Sequence, residues 1–124
     1  MALNAGLASM TEGMKIVPAG PASFERLALP VATRKHMGVI AMKVFGQEQL
    51  VGAASGEKLL AYALSLPVSL ASVGMPQLEL IERNASLARS FTAMSRQERS
   101  RLVDSIETGR KQAMRRFLRD HEDV

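Results

Sequence analysis

Two short apolar runs constrain this chain more than anything else in it: "MGVIAMKVFG" at residues 37–46 and "VSLASVG" at residues 68–74. Neither alternates polar with apolar, so each reads as a strand covered on both faces, the profile of a parallel sheet. Both runs end in glycine, the first only after an abrupt turn to polarity at Lys43. Between them, "EKLLAYALSL" carries Leu59, Leu60, Ala63 and Leu64 on one helical face before Pro67. Two parallel strands need a crossover connection, and a helix is the usual one. The spacing therefore predicts a β-α-β unit with strands near 38–44 and 68–73.

The flanks extend that pattern. Residues 1–4 open with the apolar "MAL", a candidate strand fragment, and the remainder of the first twenty residues, with Gly6, Gly13, Pro18 and Gly20, reads as a loop. Phe24, Leu27, Val31 and Ala32 recur near helical spacing over 22–36, a helix that Pro30 is expected to kink or divide. Arg34, Lys35 and His36 suit the negative end of its dipole, and Gly38 is expected to release the chain into the strand. Residues 46–56 form a glycine-rich loop. Pro76 is expected at the first position of a helix running through "QLELIERNASLARSF", because a missing N–H costs nothing there. Ser95 and Glu98 make a capping box for a further helix to about residue 107. Residues 108–124 are expected to be a helical tail fraying into acids. The whole, 1–124, is expected to be a single domain.

Composition narrows the possible chemistry. With 47% hydrophobic residues, 23% charged and only 4% aromatic, the interior must be aliphatic, and the eight methionines are most simply gap-fillers in it. The absence of cysteine excludes disulfides and thiolate metal sites. His36 and His121 lack ligand spacing, so no metal is expected. No basic-then-apolar leader and no run long enough to span a bilayer are present, so no membrane contact is expected and a cytoplasmic location is the default. The net charge of +4 is concentrated in arginine-rich stretches between 83 and 119, with Arg110, Lys111, Arg115, Arg116 and Arg119 at the end. They read as solvated helix faces. No aromatic stacking residues accompany them, so nucleic acid is not an expected partner.

The blocks "MGVIAMKVFGQEQLVG", "EKLLAYALSLPVSLASVGMPQLELIERNASLARSF" and "MSRQERSRL", in that order and spacing, resemble the C-terminal third of an aldo-keto reductase. They look like that family's seventh strand, the following helix, the eighth strand and the last barrel helix, with "MALNAG" similar to the end of the sixth strand. The resemblance implies an α/β fold, a partial (β/α)8 TIM-barrel fragment with parallel strands and additional C-terminal helices. It also implies NADPH as cofactor and carbonyl reduction as the activity. By the same resemblance, Lys43, Val44, Phe45 and Gly46 match the loop that wraps the pyrophosphate, and Met42 matches the nicotinamide-stacking position. Gly74, Met75, Pro76 and Gln77 match the start of the helix that holds the adenosine phosphate, and Asn84 matches an adenine-contacting amide. Arg83 stands where the family usually has glutamate, and Leu80 where it often has glutamine or arginine.

The family's proton-donating tyrosine and its supporting lysine, aspartate and histidine come from the first half of the barrel, so no catalytic residue is expected here. Tyr62, the only tyrosine, lies in the helix between the two strands, where a packing or surface role is expected. His36 and His121 are expected to be exposed structural residues. The chain is thus expected to be a C-terminal cofactor-binding part, whether from truncation, a split gene or a misplaced start. The alternative is a non-catalytic interaction module. Uncovered strand edges would pair it with itself or with a separate N-terminal barrel half.

Overall fold

A computed structural model describes residues 2–4, 8–9, 15–16, 24–46, 50 and 52–106. In chain order these form β1 (Ala2–Asn4), β2 (Ala8–Ser9), β3 (Lys15–Ile16), α1 (Phe24–Arg34), β4 (Ile40–Met42), α2 (Gly56–Leu64), β5 (Leu70–Ala71), α3 (Leu78–Ser90) and α4 (Arg96–Ser105). β4 is the middle strand of a sheet ordered β1-β4-β5, and both of its pairings are parallel. Ala2 lies opposite Ile40, and Ile40 opposite Leu70. α1 separates β1 from β4 and α2 separates β4 from β5, an arrangement of mixed helix and parallel strand compatible with the α/β class. β2 and β3, within the segment expected to be a loop, pair antiparallel to each other. Strands of two residues are too short to carry a readable alternation. The expected tail at 108–124 lies outside the described residues.

Among the described residues the helices cover only one face of β4, where the sequence predicts cover on both. Val39 and Ala41 are buried at 1% and 2% exposure, whereas Met42 and Leu70 are exposed. Val39 packs with Ala28, Leu29 and Ala32 of α1, and Ala41 with Val44 and with Leu59 and Ala63 of α2. Val68, half-buried, packs against both clusters and joins them. The helices need to cover only the Val39–Ala41 side, so Ile40, Met42 and Leu70 owe their apolar character to something other than these two helices.

α1 runs unbroken through Pro30. The proline removes one backbone donor, but Ala28, Leu29 and Ala32 are buried on both sides of it. Burial of a leucine side chain alone is worth about 1.5–3 kcal/mol, enough to hold one helix instead of two pieces. The end of α1 is set by His36 rather than by Gly38. Met37 N–H donates to Ala32 O at 3.0 Å and His36 N–H to Thr33 O at 3.1 Å, with His36 left-handed at φ 51°. This is the paired bonding of a Schellman cap, whose left-handed position glycine fills most easily. Gly38 is not in the left-handed region, and an added Cβ would meet only Ser69 Oγ at 3.9 Å.

Two polar ties lock the helices together. Tyr62 O–H on α2 donates to Glu25 Oε1 on α1. Ser65, capping α2, donates its hydroxyl to Ala61 O at 2.6 Å and accepts from Met94 N–H at 2.8 Å, while Arg99 of α4 donates to Met94 O at 2.7 Å. α4 begins with the expected capping box: Ser95 Oγ accepts from Glu98 N–H at 3.2 Å, and Glu98 Oε2 accepts from Ser95 N–H at 2.7 Å. Those bonds hold the Glu98 carboxyl below its ordinary range.

Burial raises the Tyr62 phenol well above its ordinary value of 10.0, helped by the hydrogen bond and charge of Glu25 and opposed by Arg99. Up to about pH 10 both folded and unfolded chains keep that proton, and its contribution to stability is complete. Above it the unfolded chain ionises first, so stability declines by about 1.4 kcal/mol per pH unit from this group. Urea unfolding across the alkaline range should show Tyr62→Phe with a shallower decline than the parent. For His36→Gly, relief of the left-handed cost should raise stability by about 0.5–1 kcal/mol in the same assay.

Candidate functional site

The C-terminal ends of β4 and β5 lie side by side, because the strands are parallel and in register from Ile40–Leu70 to Ala41–Ala71. Ser72 N–H continues the pairing by donating to Ala41 O at 2.7 Å. The segments that leave these ends, 43–55 and 72–77, start from one apolar floor. Val44, Phe45, Leu50, Ala54, Ala71 and Val73 all belong to the cluster built on Ala41, Leu59 and Ala63.

The first segment turns at once. Lys43 is left-handed at φ 52°, and Gly46, buried, is left-handed at φ 59°. Gly46 N–H closes the turn on Lys43 O at 2.8 Å. A second turn follows, in which Ala53 N–H reaches Leu50 O at 3.0 Å with Gly52 at φ 79°. A positive φ of that size is one that glycine adopts without steric cost. Ser55 then caps α2 by accepting from Lys58 N–H at 3.3 Å. Phe45 lies against this start: a Cβ added to Gly56 would sit 3.6 Å from its ring.

The second segment is more open. Gly74 has nothing within 4 Å of where a Cβ would be, and Met75 is exposed. The helix starts later than expected. Gln77, extended at φ −125° and ψ 143°, is the N-cap of α3, so Pro76 lies before the helix and not at its first position. Gln77 makes no side-chain cap, which leaves the first backbone donors of α3 without the side-chain acceptor that Ser55 and Ser95 provide elsewhere. Glu79 in that first turn offsets part of the positive helix end.

The expected site residues therefore divide by what they expose. Met42 is exposed at the end of β4, and Lys43 is half-buried. Val44, at 4% exposure, and Phe45 turn their side chains into the core and offer a ligand mainly backbone. Gly46 offers a tight turn whose N–H is already engaged. Gly74, Met75 and Gln77 are exposed, and Asn84 is half-buried further along α3. Arg83 is drawn away to α2, where its Nε donates to Glu57 Oε1 at 2.8 Å. With both partners largely exposed, that pair contributes at most about 1 kcal/mol. Among the described residues no group of three or more His, Cys, Asp or Glu could hold a metal ion, and no helix is long and apolar enough to cross a membrane.

Left-handed backbone at Lys43 is the feature that sequence reasoning missed. A lysine gives no conformational signal of its own, and only the nearby glycines hinted at a tight turn. Compared with known proteins, the chain matches no family model, no curated protein and no solved structure.

The two glycines at the strand ends should respond differently to substitution. Gly46→Ala forces a Cβ into the left-handed region and should cost about 1–2 kcal/mol. Gly74→Ala fills open space and should change stability by less than about 1 kcal/mol. Thermal and urea unfolding of the two variants checks the contrast.

Proposed function

We propose that this chain is the C-terminal, cofactor-holding part of an aldo-keto reductase, a fragment spanning the end of strand six to strand eight of a (β/α)8 barrel. It would serve NADPH-dependent reduction of carbonyl compounds in a cytoplasmic setting. One observation carries the reading: β4 and β5 are adjacent and parallel, and each delivers a glycine-bearing segment to the same end of the sheet. In parallel barrels ligands collect at that end, and phosphate sites are built by the loops after the last two strands with a helix N-terminus.

The residues there fit a dinucleotide phosphate. Lys43 brings a cation, and the first donors of α3 lack a side-chain cap. Lys43 also holds a conformation that costs a non-glycine residue roughly 1–2 kcal/mol. Such strain gathers at ligand clamps. Met42 and Met75 offer exposed thioethers, polarizable enough to lie against a flat ring. Gln77 and Asn84 offer amides that can both donate and accept. NADPH, when bound, supplies the hydride. The work of this chain is to hold and orient it, and the proton-donating group is assigned to no residue here.

A second reading, a non-catalytic interaction module, is favoured by the exposure of Met42 and Leu70 on the open sheet face beside the half-buried Ile40. That surface suits a second copy or a separate N-terminal barrel half.

Titration of the full chain with NADPH, followed by nucleotide fluorescence, tests the first reading. Saturable binding is expected. Lys43→Asn removes the charge but keeps a residue tolerant of left-handed backbone, so it should weaken binding roughly tenfold, about 1.4 kcal/mol, with little change in the unfolding midpoint. No saturable binding, or equal affinity for the variant, would defeat the cofactor assignment.

A further inference from the structure

α3 is a 13-residue helix in which no residue is buried. Leu80, Asn84 and Leu87 are half-buried on one side. The opposite side carries exposed apolar residues, Leu78 at 66% and Ile81 at 44% exposure, with Ala88 exposed beside them and the small Ala85 half-buried between. At 3.6 residues per turn, Leu78, Ile81, Glu82, Ala85 and Arg89 share that side.

We infer that this face of α3 binds the same face of a second copy, antiparallel and about a two-fold axis. The argument for a second copy is the placement of charge. Glu82 and Arg89 are equidistant from the midpoint of Ala85 and Ser86, about two helical turns apart. An antiparallel pairing centred on that midpoint sets Glu82 of each copy opposite Arg89 of the other, twice over, with Ala85 between the pairs and Ile81 flanking each pair on its outer side. A two-fold interface must be self-complementary in this way. A basic or an acidic partner would match only one of the two charges and be repelled by the other. Among the described residues neither has an ion-pair partner: the ion pair of α3 with its neighbour uses Arg83 and Glu57 instead. The inference is independent of the cofactor reading, whose residues before and on α3 are Gly74, Met75, Gln77 and the half-buried Asn84, none of them on this face.

A helix about 20 Å long offers less than the ~1,600 Å² of a standard interface, so the association is reversible and concentration-dependent. Analytical ultracentrifugation of the full chain, from about 1 µM to about 1 mM, should show a monomer–dimer equilibrium that weakens with salt. Ile81→Glu should shift it at least tenfold toward monomer. Glu82→Arg and Arg89→Glu should each weaken it, and the double reversal should restore it. The chain has no cysteine, so Ala85→Cys should give an oxidised dimer readily, whereas Ser100→Cys, exposed on α4, should not. Circular dichroism checks that each variant is folded, and the charge reversals and cysteine variants carry the test if Ile81→Glu does not fold. A monomer throughout, a dimer indifferent to Ile81→Glu, a double reversal weaker than either single one, or equal cross-linking at residues 85 and 100 would each overturn the inference.

Discussion

Val39 is the joint on which the rest of the structure depends. Its carbonyl accepts from Ser69 N–H at 2.7 Å and from Leu70 N–H at 3.3 Å, and its own N–H donates to Ser69 Oγ at 3.1 Å. Its side chain is buried against α1. One residue thus fixes the start of β5, the entry of β4 and the seat of the helix before it. Val39 is buried, so losing the Ser69 Oγ acceptor would leave its N–H unpaired, which costs more than the bond itself contributes. The parallel register set here determines that the two strands end together.

From that joint the packing spreads in two directions. α1 closes over Val39 and α2 over Ala41, with Val68 between the two clusters. Both clusters are small and largely aliphatic, as the low aromatic content requires. They leave the opposite sheet face to Ile40, Met42 and Leu70. A sheet with strands this short needs a second layer to stand alone, and the described helices supply one only on the Val39 side. The polar ties from Tyr62 to Glu25 and from Arg99 and Ser65 to Met94 matter more here than in a large domain. They hold helices whose apolar contacts are few.

The parallel strands were legible because an uninterrupted apolar run ending in glycine has few other folded uses, and the α4 start was legible because a capping box is a local, reciprocal bond. Less could be read where neighbours override local preference. Pro30 looked like a break, yet burial of Ala28, Leu29 and Ala32 keeps α1 whole. An apolar run also looks the same whether one face or both will be covered, so the open face at Met42 and Leu70 was hidden. β2 and β3 were too short to register. At the candidate site the residue types and their order were readable, but not that Val44 and Phe45 would turn inward. Nor was it readable that His36, not Gly38, would take the left-handed end of α1.

Lys43 and Gly46 bracket one turn and share one backbone conformation, but they pay for it differently. Glycine adopts φ 59° without steric penalty, whereas lysine at φ 52° is strained. Were the turn required only to end a strand, a glycine or an asparagine at residue 43 would serve at lower cost. A lysine there brings a charge and a long side chain that neither alternative has. Met42, immediately before it, is exposed at a strand end whose alternate positions are otherwise apolar floor. Conformational strain and a cation meet at one residue, beside an exposed thioether, and the anion-holding role proposed for this turn rests on that combination. Neither the glycines nor the helix end alone would carry that proposal.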